Sequence, residues 1–425
     1  MKLNREFFRY VIPSMLAFAL SGLYGIVDGF FLGNDMGDQA LAAINVAYPL
    51  TAFLQAVGTG IGMGGAVQYT INKAQGKKEN QERCLGVTLL FLTVVGLILT
   101  PVFFFLNGSL LQFLGAEGEL MKLGSEYMKW IALGCLFQIL GTGLVPFMRN
   151  LGNAYISMIA MMAGAVTNIV FDYLLIWVYQ KGMAGAAIAS VMGQVMAFVV
   201  CLGYLLWKKE KMRLRGGWSD IIKKILLIGC SPFGLSFAPN LTLILVNLNA
   251  IRYGGAFAVT CYAPVSYITF TIMLLLQGVS DGCQPLVSYF YGKGDGNQAE
   301  QVYGMSRNFS LLVGILAFAA LYGAGSKAVE FFGTSPEVTE YVTAILPLFL
   351  VGMVFSGLSR AVISYFYATE KNAAAYTLIY GEQLILFLLL WILPAMMGIM
   401  GTWISVMASQ ILVALFGQAM LRSKK

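Results

Sequence analysis

The chain has no histidine. A Ser–His or Cys–His nucleophile pair is therefore impossible, and so is an H-E-x-x-H metal helix. Any proton relay must run on carboxylates, with Tyr, Ser, Thr, Asn or Gln in support. Charge is scarce too. Only 11% of residues are Asp, Glu, Lys or Arg, against roughly 25% in soluble domains. Cysteine is limited to Cys84, Cys135, Cys201, Cys230, Cys261 and Cys283, in or beside apolar runs and never as C-x-x-C. That argues against a disulfide framework or zinc site and for small buried hydrophobes.

What fills the chain is apolar: 58% of its 425 residues, with a mean hydropathy of +0.76. A soluble fold cannot hide that much apolar surface, so the expectation is an all-α polytopic membrane protein. A span needs roughly 20 apolar residues. Twelve segments qualify, at 9–33, 41–71, 85–107, 124–148, 155–179, 183–207, 223–251, 256–290, 304–325, 338–368, 373–397 and 399–421. The first resembles a signal peptide, but it is long enough to span, carries Asp28 and ends in no A-x-A site. It reads as a retained first helix. With the N-terminus inside, 21 of the 27 basic residues fall in inside segments. This imbalance puts both termini in the cytoplasm of a plasma or inner membrane protein. The same distribution explains the net charge of +7 as topology and excludes a nucleic-acid face.

The sequence repeats itself. "AYPL" at 47–50 echoes "YAPV" at 262–265, "QFLGAEGEL" at 112–120 echoes "EFFGTSPEV" at 330–338, and "GMAG" at 182–185 echoes "GIMG" at 398–401. The offset is 215–218 residues, half the chain. Two parallel six-helix bundles follow, 1–207 and 223–425, joined by a basic cytoplasmic loop at 208–222, with a substrate path between them.

Polar residues inside spans carry the chemistry. Tyr24 and Asp28, like Asn168 and Asp172, are four residues apart and so share a helix face. A carboxylate in a bilayer costs several kcal/mol or more without a partner or a wet cavity. Asp28, Asn168 and Asp172, with the Ser190 hydroxyl, form a set of hard oxygen donors suited to Na⁺ or a proton. Aligning Pro13 with Pro232 places Asn247 opposite Asp28. The GMAG/GIMG anchor places Leu384 and Leu388 opposite Asn168 and Asp172. The site is therefore expected in the N-terminal half alone. Asp281 and Glu382 are secondary candidates for substrate or proton binding, or for pairing with Arg360. Pro13 and Pro232 are candidate bending points.

The stretches "IPSMLAFALSGLYGIVDGFFLGNDMGDQALAAINVAYPL", "RNLGNAYISMIAMMAGAVTNIVFDYLLIWVYQKGMAGAAIAS" and "QGVSDGCQPLVSYFYGKGDGNQAEQV" resemble the multidrug and toxic compound extrusion family, MepA-like branch, over essentially the whole chain. The resemblance implies a V of two bundles and alternating access. It implies efflux of amphipathic, often cationic, compounds against Na⁺ or H⁺. Its N-lobe cation site falls on Asp28, Asn168 and Asp172, with Ser190 where Thr is common, and Tyr24 and Pro13 match positions tied to that site and to first-helix bending. The chain departs from the family in having no acid in the seventh span, and in Glu382-Gln383 where an Arg-Gln pair is usual. A lipid-linked oligosaccharide flippase of the same superfamily is the alternative, disfavoured because the intramembrane charges are mainly acidic. An enzyme is not expected. The partners expected are a small amphipathic molecule and the bilayer, with no cofactor beyond the coupling ion and a monomer as working unit.

Overall fold

The computed structural model describes residues 2–214, 216–332 and 334–422, apart from the side chains of residues 2, 23–26, 28–30, 34 and 38. Among the described residues the chain is helical, without strands. The first half holds α1 (Lys2–Met36), α2 (Asp38–Ala74), α3 (Lys78–Phe113), α4 (Gly118–Leu133), α5 (Cys135–Asn150), α6 (Ala154–Asp172) and α7 (Gly182–Trp207). The second holds α8 (Trp218–Gly292), α9 (Gly296–Ala324), the short α10 (Lys327–Glu330), α11 (Pro336–Ala368), α12 (Asn372–Met397) and α13 (Ile399–Arg422). Nine described helices are long and apolar enough to cross a membrane, or ten with α4 and α5 taken as one bent span. Eleven of the twelve predicted segments fall on these helices, and the first, 9–33, falls on α1. α8 holds two, divided at Gly255, where φ is 66° and ψ −162°.

Local chemistry sets the ends. Asn153 caps α6 by accepting from the Ile156 N–H, and Asp295 caps α9 by accepting from Gln298 at 3.0 Å. Ser335 caps α11, with Pro336 in its first turn. The predicted fourth span bends by 62° between α4 and α5, at Gly134. A Cβ there would lie 2.2 Å from Val191 Cγ2, so α7 presses against the joint. No break accompanies the expected bending points. α1 runs through Pro13 and α8 through Pro232, and the non-helical residue of α8 is Gly255.

The duplication is visible in the backbone. Gly37, Gly76 and Gly182 have φ of 73°, 70° and 53°; Gly255, Gly294 and Gly398 have 66°, 77° and 60°. These are the conformations that only glycine adopts without strain. They recur at the offset of the sequence repeat.

The contacts form two compact units that follow the halves only in part. One comprises Leu16–Ser236 with Gly292–Gly294; the other Met1–Met15, Phe237–Tyr291 and Asp295–Lys425. The start of α1 thus belongs to the unit of the second half, where Gly278 and Gly282 lie against the backbone of Met15 and Val11. The start of α8 belongs to the unit of the first half. There Gly229 packs on Gly60, and Gly64 on the Ile225 carbonyl. Each unit has its own apolar core. One is built around Leu54, Ile139 and Ile176, the other around Tyr262, Phe349 and Trp403. Five of the six cysteines are buried, Cys230 is exposed, and none is in a disulfide among the described residues.

Candidate cation site

Helix α6 places Asn168 and Asp172 on its buried stripe with Ser157, Ala160 and Gly164. Asn168 is 2% exposed and Asp172 fully buried. Helix α7 reaches them through a glycine crossing. A Cβ on Gly193 would lie 2.9 Å from the Gly164 carbonyl and 3.2 Å from Asn168 Cβ, and one on Gly164 would lie 2.8 Å from the Gly193 carbonyl. Two missing side chains let the helices touch and bring α7 against Asn168. Ser190, one turn before Gly193, is half-buried. Neither atom of the Asn168 amide has a hydrogen-bond partner among the described residues. A buried amide left so costs about 1–3 kcal/mol, and buried polar groups are nearly always paired. The donor chemistry of Asn168, Asp172 and Ser190 fits a hard cation or a proton.

Directly after Asp172 the helix widens into a π-helical turn, Tyr173–Val178, where the Tyr179 N–H donates to the Leu174 carbonyl at 2.8 Å. Such turns gather at functional positions. Nothing in the sequence signals this one. The side chains of Tyr24 and Asp28 lie outside the described residues. Pro13 is buried in α1, within the other unit.

The turn also corrects the pairing of the halves. α6 begins after Asn153 and α12 after Lys371, an offset of 218, whereas Gly182 and Gly398 differ by 216. The extra residues lie beyond Asp172. Helix starts therefore match Asn168 to Leu386 and Asp172 to Leu390, not to Leu384 and Leu388. Burial agrees: Leu386 and Leu390 are 1% and 3% exposed, Leu384 and Leu388 59% and 43%. The second half still has leucine at both positions.

That half has a different network. Asp281 on α8 is buried and accepts from Gln277 Nε2 at 2.6 Å and from the Tyr367 hydroxyl at 3.4 Å. Arg360 on α11 donates to the Gln277 carbonyl oxygen. Ser364 Oγ donates to the Ser280 carbonyl at 3.0 Å. The Gln277 amide thus stands between Arg360 and Asp281. Glu382, half-buried on α12, lies near enough to feel the Arg360 charge. Arg360, Ser364 and Tyr367 share a face of α11, and Gln277 and Asp281 are four apart. Those spacings were readable signals for Gln277, Ser364 and Tyr367.

A sequence profile of the MatE family matches residues 13–174 and 236–393, most of both halves. The chain belongs to the MatE family. It is similar to the multidrug export protein MepA of Staphylococcus aureus, with 25% identity over 412 residues, 96% of this chain and 90% of that one. Among solved structures it is similar to a multidrug resistance MATE family transporter in an outward-facing conformation, with a TM-score of 0.93, 20% identity, and 99% and 96% of the two chains covered. It is also similar to the Vibrio cholerae MATE transporter VcmN, with a TM-score of 0.91, 18% identity, and 99% and 98% covered. The fold is thus the MATE fold, and the chain is a MepA-like, multi-pass membrane member.

In this MatE chain, Gly278, Val279, Ser280, Asp281 and Gly282 also have the G-x-S-x-G spacing of a hydrolase nucleophile elbow. That elbow needs a sharp strand-to-helix turn and a neighbouring base, commonly histidine. Here Ser280 lies within helix α8 in a chain without histidine. The spacing is that of small residues packing on α1.

Proposed function

We propose that the chain exports amphipathic, cationic small molecules by alternating access, coupled to entry of Na⁺ or H⁺. The observation that carries this is the buried Asn168/Asp172 pair on α6, where an amide without a hydrogen-bond partner among the described residues stands beside a carboxylate deep in an apolar unit. A group that costly is retained where an ion is bound and released. Asn168, Asp172 and Ser190 would hold the ion, joined by Asp28 and Tyr24 on sequence grounds. Binding cancels the Asp172 charge, and release restores it. The two states differ in how well the site tolerates burial, which can bias a two-state transporter. The similarity to MepA, named as a multidrug export protein, supports the same direction of transport. Asp281 is engaged by Gln277 and Tyr367. Glu382 is therefore the better candidate to meet a substrate cation. We place the protein in the plasma or inner membrane with both termini cytoplasmic, working as a monomer and catalysing no reaction.

The test is dye efflux from vesicles under an imposed Na⁺ gradient, then a pH gradient, for the parent and Asp172→Asn. The parent is expected to respond to one gradient and the variant to neither. Unchanged coupling in the variant would remove α6 from the mechanism.

A further inference from the structure

The basic loop between α7 and α8 is seated on the neighbouring helices. The Arg213 N–H donates to the Glu82 carbonyl at 3.2 Å, and its guanidinium lies 2.9 Å from the Glu82 carboxylate and 3.4 Å from that of Glu79. The Arg213 carbonyl rests on Gly86, where a Cβ would come within 2.6 Å. A turn earlier, Glu210 accepts from the Tyr69 hydroxyl at 3.3 Å, and Gln81 donates to that hydroxyl at 2.6 Å. The Trp218 indole donates to the Leu214 carbonyl.

These anchors use Glu210 and Arg213. Lys208, Lys209 and Lys211 are exposed, as are Lys223 and Lys224 at the start of α8. None of the five makes an ion pair among the described residues. Trp207, Met212, Leu214 and Trp218 are exposed between them, Trp207 to 73%. Lys208 sits 5.0 Å from the Trp207 ring. Among the described residues, Asp220 in the first turn of α8 is the one acid of the stretch without a side-chain hydrogen bond or ion pair. The segment joins the ends of two membrane-crossing helices, so it lies at headgroup depth.

We propose that Trp207–Lys224 is a docking surface for the headgroups of anionic phospholipids. Ammonium groups beside indole rings at the end of a span match a phosphate-bearing headgroup above an acyl chain. Exposed apolar side chains among the lysines favour a lipid over a free anion, which has nothing to set against Trp207 or Leu214. The seated backbone means little order is lost on binding. The lipid would hold the start of α8, whose glycine contacts with α2 belong to the same unit.

The full-length chain in neutral detergent is titrated with fluorescent phosphatidylglycerol and, separately, phosphatidylcholine. Phosphatidylglycerol is expected to bind with an affinity that falls as salt rises, and phosphatidylcholine far more weakly. Each lysine near an anionic surface is worth about 1 kcal/mol, so K208Q/K209Q/K211Q should weaken binding on the order of a hundredfold. If the triple variant does not fold, each single exchange should weaken binding about fivefold. K208R/K209R/K211R should bind as the parent does. Equal affinity in the glutamine variants, phosphatidylcholine binding as well as phosphatidylglycerol, or displacement by inorganic phosphate or an oligonucleotide as effective as by lipid would overturn the proposal.

Discussion

Helices α6 and α12 stand at the same place in the two halves and bury the same stripe. Ser157, Ala160, Asn168 and Asp172 line one; Ala375, Leu378, Leu386 and Leu390 line the other. The last two places hold an amide and a carboxylate in α6 and leucines in α12. Since the fold is built with leucine at these places, the polar pair is no requirement of packing. It adds a function to a position whose structural need is apolar. The second half puts its charge elsewhere, and differently: Asp281 and Arg360 share the Gln277 amide, so its polar atoms answer one another.

The sharpest way to break this comparison is to make α6 a copy of α12. Asn168→Leu with Asp172→Leu is expected to abolish ion-driven efflux while leaving the thermal midpoint in detergent unchanged or raised. A lower midpoint would mean that the pair supports the fold. The converse, Leu390→Asp, buries a carboxylate without the surroundings of α6. It should cost about 3 kcal/mol, read as a lower unfolding midpoint, and an unchanged midpoint would show that α12 tolerates charge as α6 does. In the second network, Gln277→Leu removes the amide between Arg360 and Asp281. A destabilisation of roughly 2–3 kcal/mol is expected, with retention of the response to the driving gradient. Loss of that response would make this network part of the coupling. Next is the glycine crossing. Gly193→Ala places a methyl 2.9 Å from the Gly164 carbonyl, so the helices must part at about 1–3 kcal/mol, with weakened ion dependence because Asn168 lies at the contact. Smallest is Leu384→Ala on the exposed face of α12, expected within about 0.5 kcal/mol of the parent. A larger effect there would revive the pairing of Leu384 with Asn168.

Hydropathy made the spans legible, because a bilayer fixes both length and composition, and the loop matches revealed the duplication. The bend at Gly134 was hidden, since it depends on Val191 of a helix far along the chain. The π-helical turn after Asp172 was hidden as well. No residue type demands it, and it shifted the pairing of the halves by two residues. Asn168 and Asp172 stood out because polarity is rare in such helices. The Arg360 network was half-legible: its acids were plain, but Gln277 and Tyr367 look ordinary until α8 and α11 are side by side.

The crossed membership of the arms has a consequence for how such a chain could arise and be divided. Met1–Met15 pack with the unit of the second half, and the start of α8 with that of the first. A polypeptide ending at residue 207 would present an unpartnered arm at one end, and its bundle would lack the strip that Gly60 and Gly64 receive. Two copies of an ancestral half would complete each other by exchanging arms, a swapped dimer from which gene fusion needs only a connecting loop. By the same logic, separately expressed halves should assemble when produced together and aggregate when produced alone.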